Sequence, residues 1–129
     1  APTGALLSKA AFRVPAVPIP KRMADSIQAG MVERARSAEA RAARKKAKIP
    51  AAYPPVMQVV VADDGDIWLA VPGGDSLRTW IVLDPRGTRR GTVLLPKPFF
   101  LSTVLKGSAI GREYDEDGFV DIVRYRVAP

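Results

Sequence analysis

From Val56 onward the chain consists of short apolar runs separated by turn-forming residues. Four runs come first, reading "VMQVVVAD" (56–63), "DIWLAV" (66–71), "RTWIVLD" (78–84) and "RRGTVLLP" (89–96). They are rich in β-branched and aromatic residues, and "DDGD", "PGGDS" and "PRGT" separate them, as expected for strands joined by tight turns. The pattern predicts a four-stranded antiparallel meander.

Both faces of this predicted meander are apolar. In the second run Ile67 and Leu69 share one face and Trp68 lies on the other, while in the third run Trp80 opposes Ile81. A sheet with one face in water would alternate apolar and polar residues. We therefore expect both faces to be covered, with Trp68, Trp80, Ile67 and Leu69 mostly buried.

A second group of three runs follows, reading "FFLSTVLK" (99–106), "SAIGREYD" (108–115) and "FVDIVRYRV" (119–127). In the last run one face carries the apolar side chains and the other carries Arg124 and Arg126. The apolar set is Phe119, Val123, Tyr125 and Val127. No fourth run follows, so we expect an open sheet edge that pairs with the N-terminal segment or with another polypeptide.

The first 50 residues have a different pattern. Residues 1–20, "APTGALLSKAAFRVPAVPIP", hold four prolines and are expected to form an extended arm, in which "AAFRV" is long enough for one edge strand. From Lys21 to Lys48 the composition predicts one helix that ends at Pro50. The expected organisation is an arm (1–20), a basic helix (21–50) and an antiparallel β module of two blade-like sheets (51–129), which is a mainly β fold.

Charge is concentrated in the first 50 residues. They carry eleven Lys and Arg against three acidic residues, a net charge of +8, whereas the remainder has a net charge of −1. The segment "RAARKKAK" is explained either as a solvated helix end or as a clamp on an acidic protein surface or anionic lipid headgroups. Nucleic acid is disfavoured as a partner, because no aromatic residues are interleaved for base stacking.

The residues available for chemistry are few. The chain has no cysteine and no histidine, which argues against an enzyme and against thiolate or imidazole metal sites. The acidic segments "DDGD" and "DEDG" lack EF-hand spacing, and "PGGDS" lacks the lysine of a phosphate loop, so turn formation explains all three better. We expect no catalytic residue, no cofactor and no bound metal.

Three segments together resemble a known family. "YPPVMQVVVADDGDIWLAVP", "TWIVLDPRGTRRGTVLLP" and "DGFVDIVRYRV" are similar to the last blades of bacterial six-bladed, NHL-like β-propellers. The resemblance implies one complete blade and three strands of another, a truncated form of that fold. It carries over no ligand, because most of the wall of a propeller channel is missing.

Two functions are consistent with these features. The preferred hypothesis is a non-enzymatic structural subunit that docks as an extrinsic subunit on a larger, membrane-associated complex, for which reaction-centre and antenna complexes are one example. The alternative is the C-terminal fragment of a complete propeller with a ligand-binding or signalling role. The start at Ala1 fits either removal of an initiator methionine or cleavage of a signal peptide, and the second case places the protein in the periplasm or at the cell surface.

The docking hypothesis names its contact residues. The arm contributes apolar anchors, and the first half of the helix contributes an apolar stripe at a spacing of four residues. The second half of the helix contributes basic residues, and the sheet contributes one tryptophan. These candidate residues are Leu6, Leu7, Phe12 and Val14 in the arm, Met23, Ile27 and Met31 in the stripe, Arg41, Arg44, Lys45 and Lys46 in the basic half, and Trp68 in the sheet.

Overall fold

A computed structural model describes residues 4–6, 9, 11 and 13–127. The chain divides into two compact units. One, here called the β module, comprises Ala1–Val14 and Pro54–Pro129. The other, here called the helical unit, comprises Pro15–Tyr53.

The first sheet of the β module is the predicted meander. Its strands are β1 (Gln58–Val61), β2 (Ile67–Val71), β3 (Leu77–Leu83) and β4 (Arg89–Pro96), paired antiparallel in the order β1-β2-β3-β4. Aspartates stabilise the first and third turns between them, as the sequence predicted. Asp64 Oδ1 accepts from the amide of Asp66, and Asp84 Oδ1 accepts from the amides of Arg86 and Thr88. The prediction of a four-stranded antiparallel sheet is confirmed.

The second sheet contains the last three predicted strands. They are β5 (Phe100–Leu105), β6 (Ser108–Tyr114) and β7 (Val120–Arg126), in the order β5-β6-β7. With two antiparallel sheets and two short helices, the mainly β fold class is confirmed.

One detail of the second sheet was predicted wrongly. Phe119 was expected to line the apolar face of the last strand with Val123, Tyr125 and Val127, but it lies outside the strand and is 70% exposed. The residue precedes β7 and belongs to the hairpin turn, where its carbonyl accepts from the amide of Asp115. Alternation along a strand does not extend into the turn that starts it.

The main core lies between the two sheets. Trp80, only 2% exposed, lies in it with Trp68, and the two ring centroids are 6.4 Å apart. The second sheet adds apolar side chains from its inner face, where the ring of Phe99 meets Tyr125 edge to face at 5.0 Å. The buried members of this cluster are Val60, Ala62, Trp68, Ala70, Trp80, Val82, Leu95, Phe99, Leu101, Val104 and Ala109.

The opposite face of the first sheet forms a second, smaller cluster. Its buried members are Leu69, Val71, Ile81 and Leu83. Val14, Val56 and the half-buried Ile67 pack against them. The prediction that both faces of this sheet are covered is confirmed for the main-core face and only in part for this one. Val14 from the N-terminal segment belongs to the cover. Apolar side chains at the margins of the same face remain exposed, namely Val59, Val61, Leu77 and Leu94.

The helical unit corrects the prediction of one long helix. It contains α1 (Lys21–Glu33) and α2 (Ala38–Lys46), separated by Arg34–Ser37. Ser37 starts the second helix, because its backbone is extended and its side chain accepts from the amide of Ala40. The composition of residues 21–48 favoured one continuous helix, but the N-cap at Ser37 stabilises the start of a second helix.

Each helix of the unit has a long polar side chain from the other helix at its C-terminal end. Gln28 Nε2 of α1 donates to the carbonyl oxygens of Arg44, Lys45 and Ala47, at 3.3, 2.7 and 3.0 Å. Arg44 Nη1 of α2 donates in turn to the carbonyl oxygen of Met31 at 2.7 Å. These bonds supply donors to carbonyl groups in the last turns of both helices, where the regular helical donors run out.

The described part of the N-terminal arm contains no strand. Its one pairing is an isolated antiparallel bridge between Pro18 and Ala52. In "AAFRV", neither Ala11, Arg13 nor Val14 is in a strand, so the expected edge strand is not found at these residues. Ala10 and Phe12 of the same run lie outside the described residues.

Candidate functional site

The outer face of the second sheet is the side that does not pack on the first sheet. Strand register places Phe100, Arg112 and Ile122 side by side across its three strands. Tyr114 and Val120 form the next row. We define the outer face as Phe100, Ile110, Arg112, Tyr114, Val120, Ile122, Arg124 and Arg126.

This outer face is apolar, aromatic and exposed. Phe100, Tyr114 and Val120 are each 50% exposed, and Ile122 is 77% exposed. A contiguous set of exposed large apolar side chains marks an interaction surface more often than scattered ones do.

Aromatic and guanidinium groups order the centre of the outer face. The rings of Phe100 and Tyr114 meet edge to face, with centroids 6.0 Å apart and an interplanar angle of 76°. The Arg112 guanidinium carbon lies 5.4 Å from the centroid of Phe100. Aromatic residues and arginine are enriched in protein interfaces, where they make much of the binding energy.

The outer face is also positively charged. Its three arginines are Arg112, Arg124 and Arg126, and all are exposed. Within the described part of the chain the single ion pair joins Arg90 to Asp66, both in the first sheet's half of the module, so these three arginines have no carboxylate partner there. The charge is thus available to an acidic group from outside.

Next to the outer face, β7 forms an open edge. No other strand in the described residues pairs with its far side. The amide of Val127 donates to Gly107 O and the amide of Asp115 to Phe119 O, so the odd-numbered residues face β6. Hydrogen-bonded pairs alternate along an antiparallel ladder. The backbone groups of the even-numbered residues Val120, Ile122, Arg124 and Arg126 therefore point to the open edge.

On the inner face of the second sheet, a side-chain hydrogen bond joins β7 to β6. Tyr125 Oη donates to Glu113 Oε1 at 2.7 Å. This bond to the carboxylate, with burial and the negative charge of Glu113 as smaller causes, raises the pKa of Tyr125. The bond holds the edge strand on its neighbour and leaves the edge-facing backbone free.

The acidic segments of the sequence lie in turns. Asp115 Oδ1 accepts from the amides of Asp117 and Phe119, and Asp64 Oδ1 accepts from the amide of Asp66. These are the bonds by which aspartate stabilises tight turns. Among the residues that the structure describes, no group of three acidic side chains is close enough to hold a metal ion.

The predicted contact residues of the helical unit differ in exposure. Met23 and Ile27 are exposed, and Met31 is half-buried. Of the basic set, Arg44 is half-buried and bonded to Met31 O, which brings those two candidates together. The basic residues that remain exposed are Arg41, Lys45 and Lys46.

The remaining predicted contact residues belong to the β module. Leu6 is 81% exposed, Val14 packs on the second cluster, and Leu7 and Phe12 lie outside the described residues. Trp68 is buried in the core, so it is not an exposed contact residue.

Sequence reasoning did not single out the outer face. Phe100, Tyr114 and Ile122 were all present in predicted strands, and alternation around Arg124 and Arg126 could have placed Ile122 beside them. The missing information was that no other segment among the described residues covers this side.

Comparisons with known proteins add no family: a scan against family models, a search of curated proteins and a search of solved structures each gave no match. In the described residues, neither helix has the length and apolar character needed to cross a membrane.

Proposed function

We propose that this protein is a non-enzymatic structural subunit that docks on a larger protein assembly by accepting a partner's extended segment at the β7 edge. The observation that carries the proposal is the coincidence of an open strand edge with an exposed aromatic and apolar face on the same residues. Val120 and Ile122 supply both a free backbone and an exposed side chain.

Strand addition explains why the two features coincide. The edge-facing amides and carbonyls provide sequence-independent hydrogen bonds, and side chains on alternate positions of the added strand provide specificity. On the outer face those side chains would lie beside Ile122 and Val120 at one end of β7 and beside Arg124 and Arg126 at the other. A segment with apolar residues followed by acidic residues fits this distribution.

The helical unit supplies a second, electrostatic contact in this proposal. Lys45 and Lys46 are exposed in the last turn of α2, at the negative end of its dipole, and Arg41 is exposed one turn earlier. They suit an acidic protein surface, and an anionic membrane surface beside the host complex would attract them in the same way. This part of the attachment should weaken with salt, because exposed charges are screened beyond about 8–10 Å at physiological ionic strength.

The test is attachment of edge variants in the native cells. The tagged protein is purified under mild conditions with Val120→Lys and Ile122→Lys combined, because lysine on an edge strand opposes strand addition. Particle mass and the amount of co-purified partner are measured by size-exclusion chromatography with light scattering. We expect the unmodified protein to elute in a particle far above 13.9 kDa. The amount of partner that co-purifies with the double variant should be at least about tenfold lower, because a few residues at the centre of an interface contribute most of its binding energy.

The matched control is Val61→Lys, an equally exposed valine on β1 of the other sheet. It should co-purify with partner as the unmodified protein does. A 13.9 kDa monomer in native extracts, or full occupancy of the double lysine variant, would show the proposal to be wrong.

A further inference from the structure

A cleft of about 530 Å³ opens within the β module, on the side of β4 and the C-terminal end of β7. Its apolar lining is formed by Trp68, Val82, Val93, Val104 and Val127. The charged side chains that line it are Asp64, Asp66 and Arg90.

The turn between β1 and β2 fixes Asp66 at this cleft. Its carbonyl accepts from the amide of Ala62, and its amide donates to Asp64 Oδ1 at 2.9 Å. The residue is only 5% exposed. The turn therefore fixes the backbone of Asp66, from which the buried carboxylate reaches the lining of the cleft.

One oxygen of this carboxylate has a donor among the described residues and the other has none. Arg90 Nη1 donates to Asp66 Oδ2 at 2.9 Å. Oδ1 is buried, and no donor among the described residues reaches it. Burying a carboxylate oxygen without a donor is costly, so an oxygen left in this state next to a cleft indicates a group that binds there.

Arg90 is a replaceable partner for Asp66. Its side chain is 59% exposed, whereas that of Asp66 is 8% exposed. The guanidinium thus reaches the carboxylate from the solvent side with one nitrogen. An exposed arginine can move back to water at small cost, which would open the carboxylate to another cation.

We propose that this cleft binds an aliphatic primary ammonium group, which replaces the Arg90 guanidinium on Asp66. An ammonium has three donors and no acceptor, so it can serve both carboxylate oxygens. Its alkyl chain contacts the valine walls, and the net charge of Asp64, Asp66 and Arg90 favours a cation. The ammonium is carried either by a small alkylamine or by a lysine side chain of a partner.

Binding is tested by NMR titration of the full chain. The probes are n-pentylammonium, 1-pentanol as its neutral counterpart, and a blocked glycine pentapeptide with one central lysine, with or without acetylation of that lysine. We expect n-pentylammonium to shift the resonances of Trp68, Val93 and Val104 with a Kd of roughly 1–10 mM, the range expected for so small a ligand. The alcohol and the acetylated peptide should leave these resonances in place.

Two variants and one control locate the site. Asp66→Asn should weaken binding about tenfold or more, because the amide has lost the charge and half of the acceptor capacity. Asp75→Asn, the same change at an exposed position, should have no effect. Arg90→Ala should tighten binding roughly two- to fivefold, because it removes the competing cation. If Asp66→Asn does not fold, Arg90→Ala alone tests whether the ammonium binds at Asp66.

The outcomes also separate the two sources. Tighter binding of the lysine peptide than of n-pentylammonium assigns the site to a partner's side chain, and the reverse assigns it to a small amine. The proposal is overturned if neither amine shifts these resonances, if 1-pentanol binds as well as n-pentylammonium, or if Arg90→Ala leaves the affinity unchanged or reduced.

Discussion

The two sheets of the β module use similar residues, yet their outer sides differ. In the β1–β4 sheet, the centre of the side away from the main core carries Leu69 and Ile81, both buried, with Val14 and Val56 packed against that cluster. Only the margins of this side are exposed, at Val59, Val61, Leu77 and Leu94. In the β5–β7 sheet, the equivalent side carries Phe100 and is open.

The difference shows that the apolar content of a sheet face does not by itself determine whether other parts of the same chain bury that face. Both outer sides have residues of high strand propensity, and both would gain from being covered. The first is covered in part by Val56, which lies next to β1 in the sequence, and by Val14 of the N-terminal segment. No other described segment packs on the second.

The largest expected effect is at the shared core. Trp80→Ala should destabilise the fold by about 3–5 kcal/mol, because it removes a fully buried aromatic side chain between the sheets. Ile122→Ala, on the open face, should change the free energy of unfolding by less than about 0.5 kcal/mol. Urea unfolding followed by far-UV circular dichroism measures both. Equal losses would mean that the outer face is covered within the same chain.

Proline substitutions at neighbouring positions of β7 test which backbone groups are free. Val123→Pro removes an amide that bonds to β6 and should cost about 2–4 kcal/mol. Ile122→Pro removes an edge-facing amide and should cost about 1 kcal/mol or less, since proline is tolerated on that side of an edge strand. The same unfolding assay compares the pair. A larger loss for Ile122→Pro would reverse the assigned pattern and remove the free donors that strand addition requires.

A smaller effect tests the cover of the first sheet. Val14→Ala should lower the free energy of unfolding by about 1 kcal/mol, because Val14 is half-buried against the second cluster. Val61→Ala, an exposed valine on β1, is the matched control and should be neutral. If thermal unfolding midpoints of the two variants agree with that of the unmodified protein, the N-terminal segment does not contribute to the cover.

The smallest effect concerns the bond beneath the open face. The pKa of Tyr125 is raised in the folded chain, so the folded state holds this proton more tightly than the unfolded state does. Its stabilisation is full below the unfolded pKa of about 10 and is lost as the pH rises above that value. Tyr125→Phe should therefore show a shallower loss of stability between about pH 9 and 11, measured by urea unfolding at several pH values. An identical pH dependence in both proteins would argue against the bond to Glu113.

Much of the fold is determined by local sequence. The seven strands follow from short β-branched runs, and the turns follow from aspartate and glycine at fixed places, as the bonds of Asp84 and Asp115 show. The break between the helices was also encoded locally, by Ser37, although composition hid it. Such features depend on a few neighbouring residues, which is why the sequence suffices for them.

The candidate sites depended on tertiary structure. Trp68 is of a residue type that is common in interfaces, yet it lies in the core. Ile122 was not singled out from the sequence, yet it is among the most exposed apolar residues that the structure describes. The Oδ1 atom of Asp66, which has no donor, likewise could be identified only from the structure, in which Arg90 of β4 bonds to Oδ2. Side-chain alternation assigns a residue to one of two faces of a sheet, but the packing of segments distant in sequence decides which face is exposed to water. The candidate sites of this protein therefore depend on that packing.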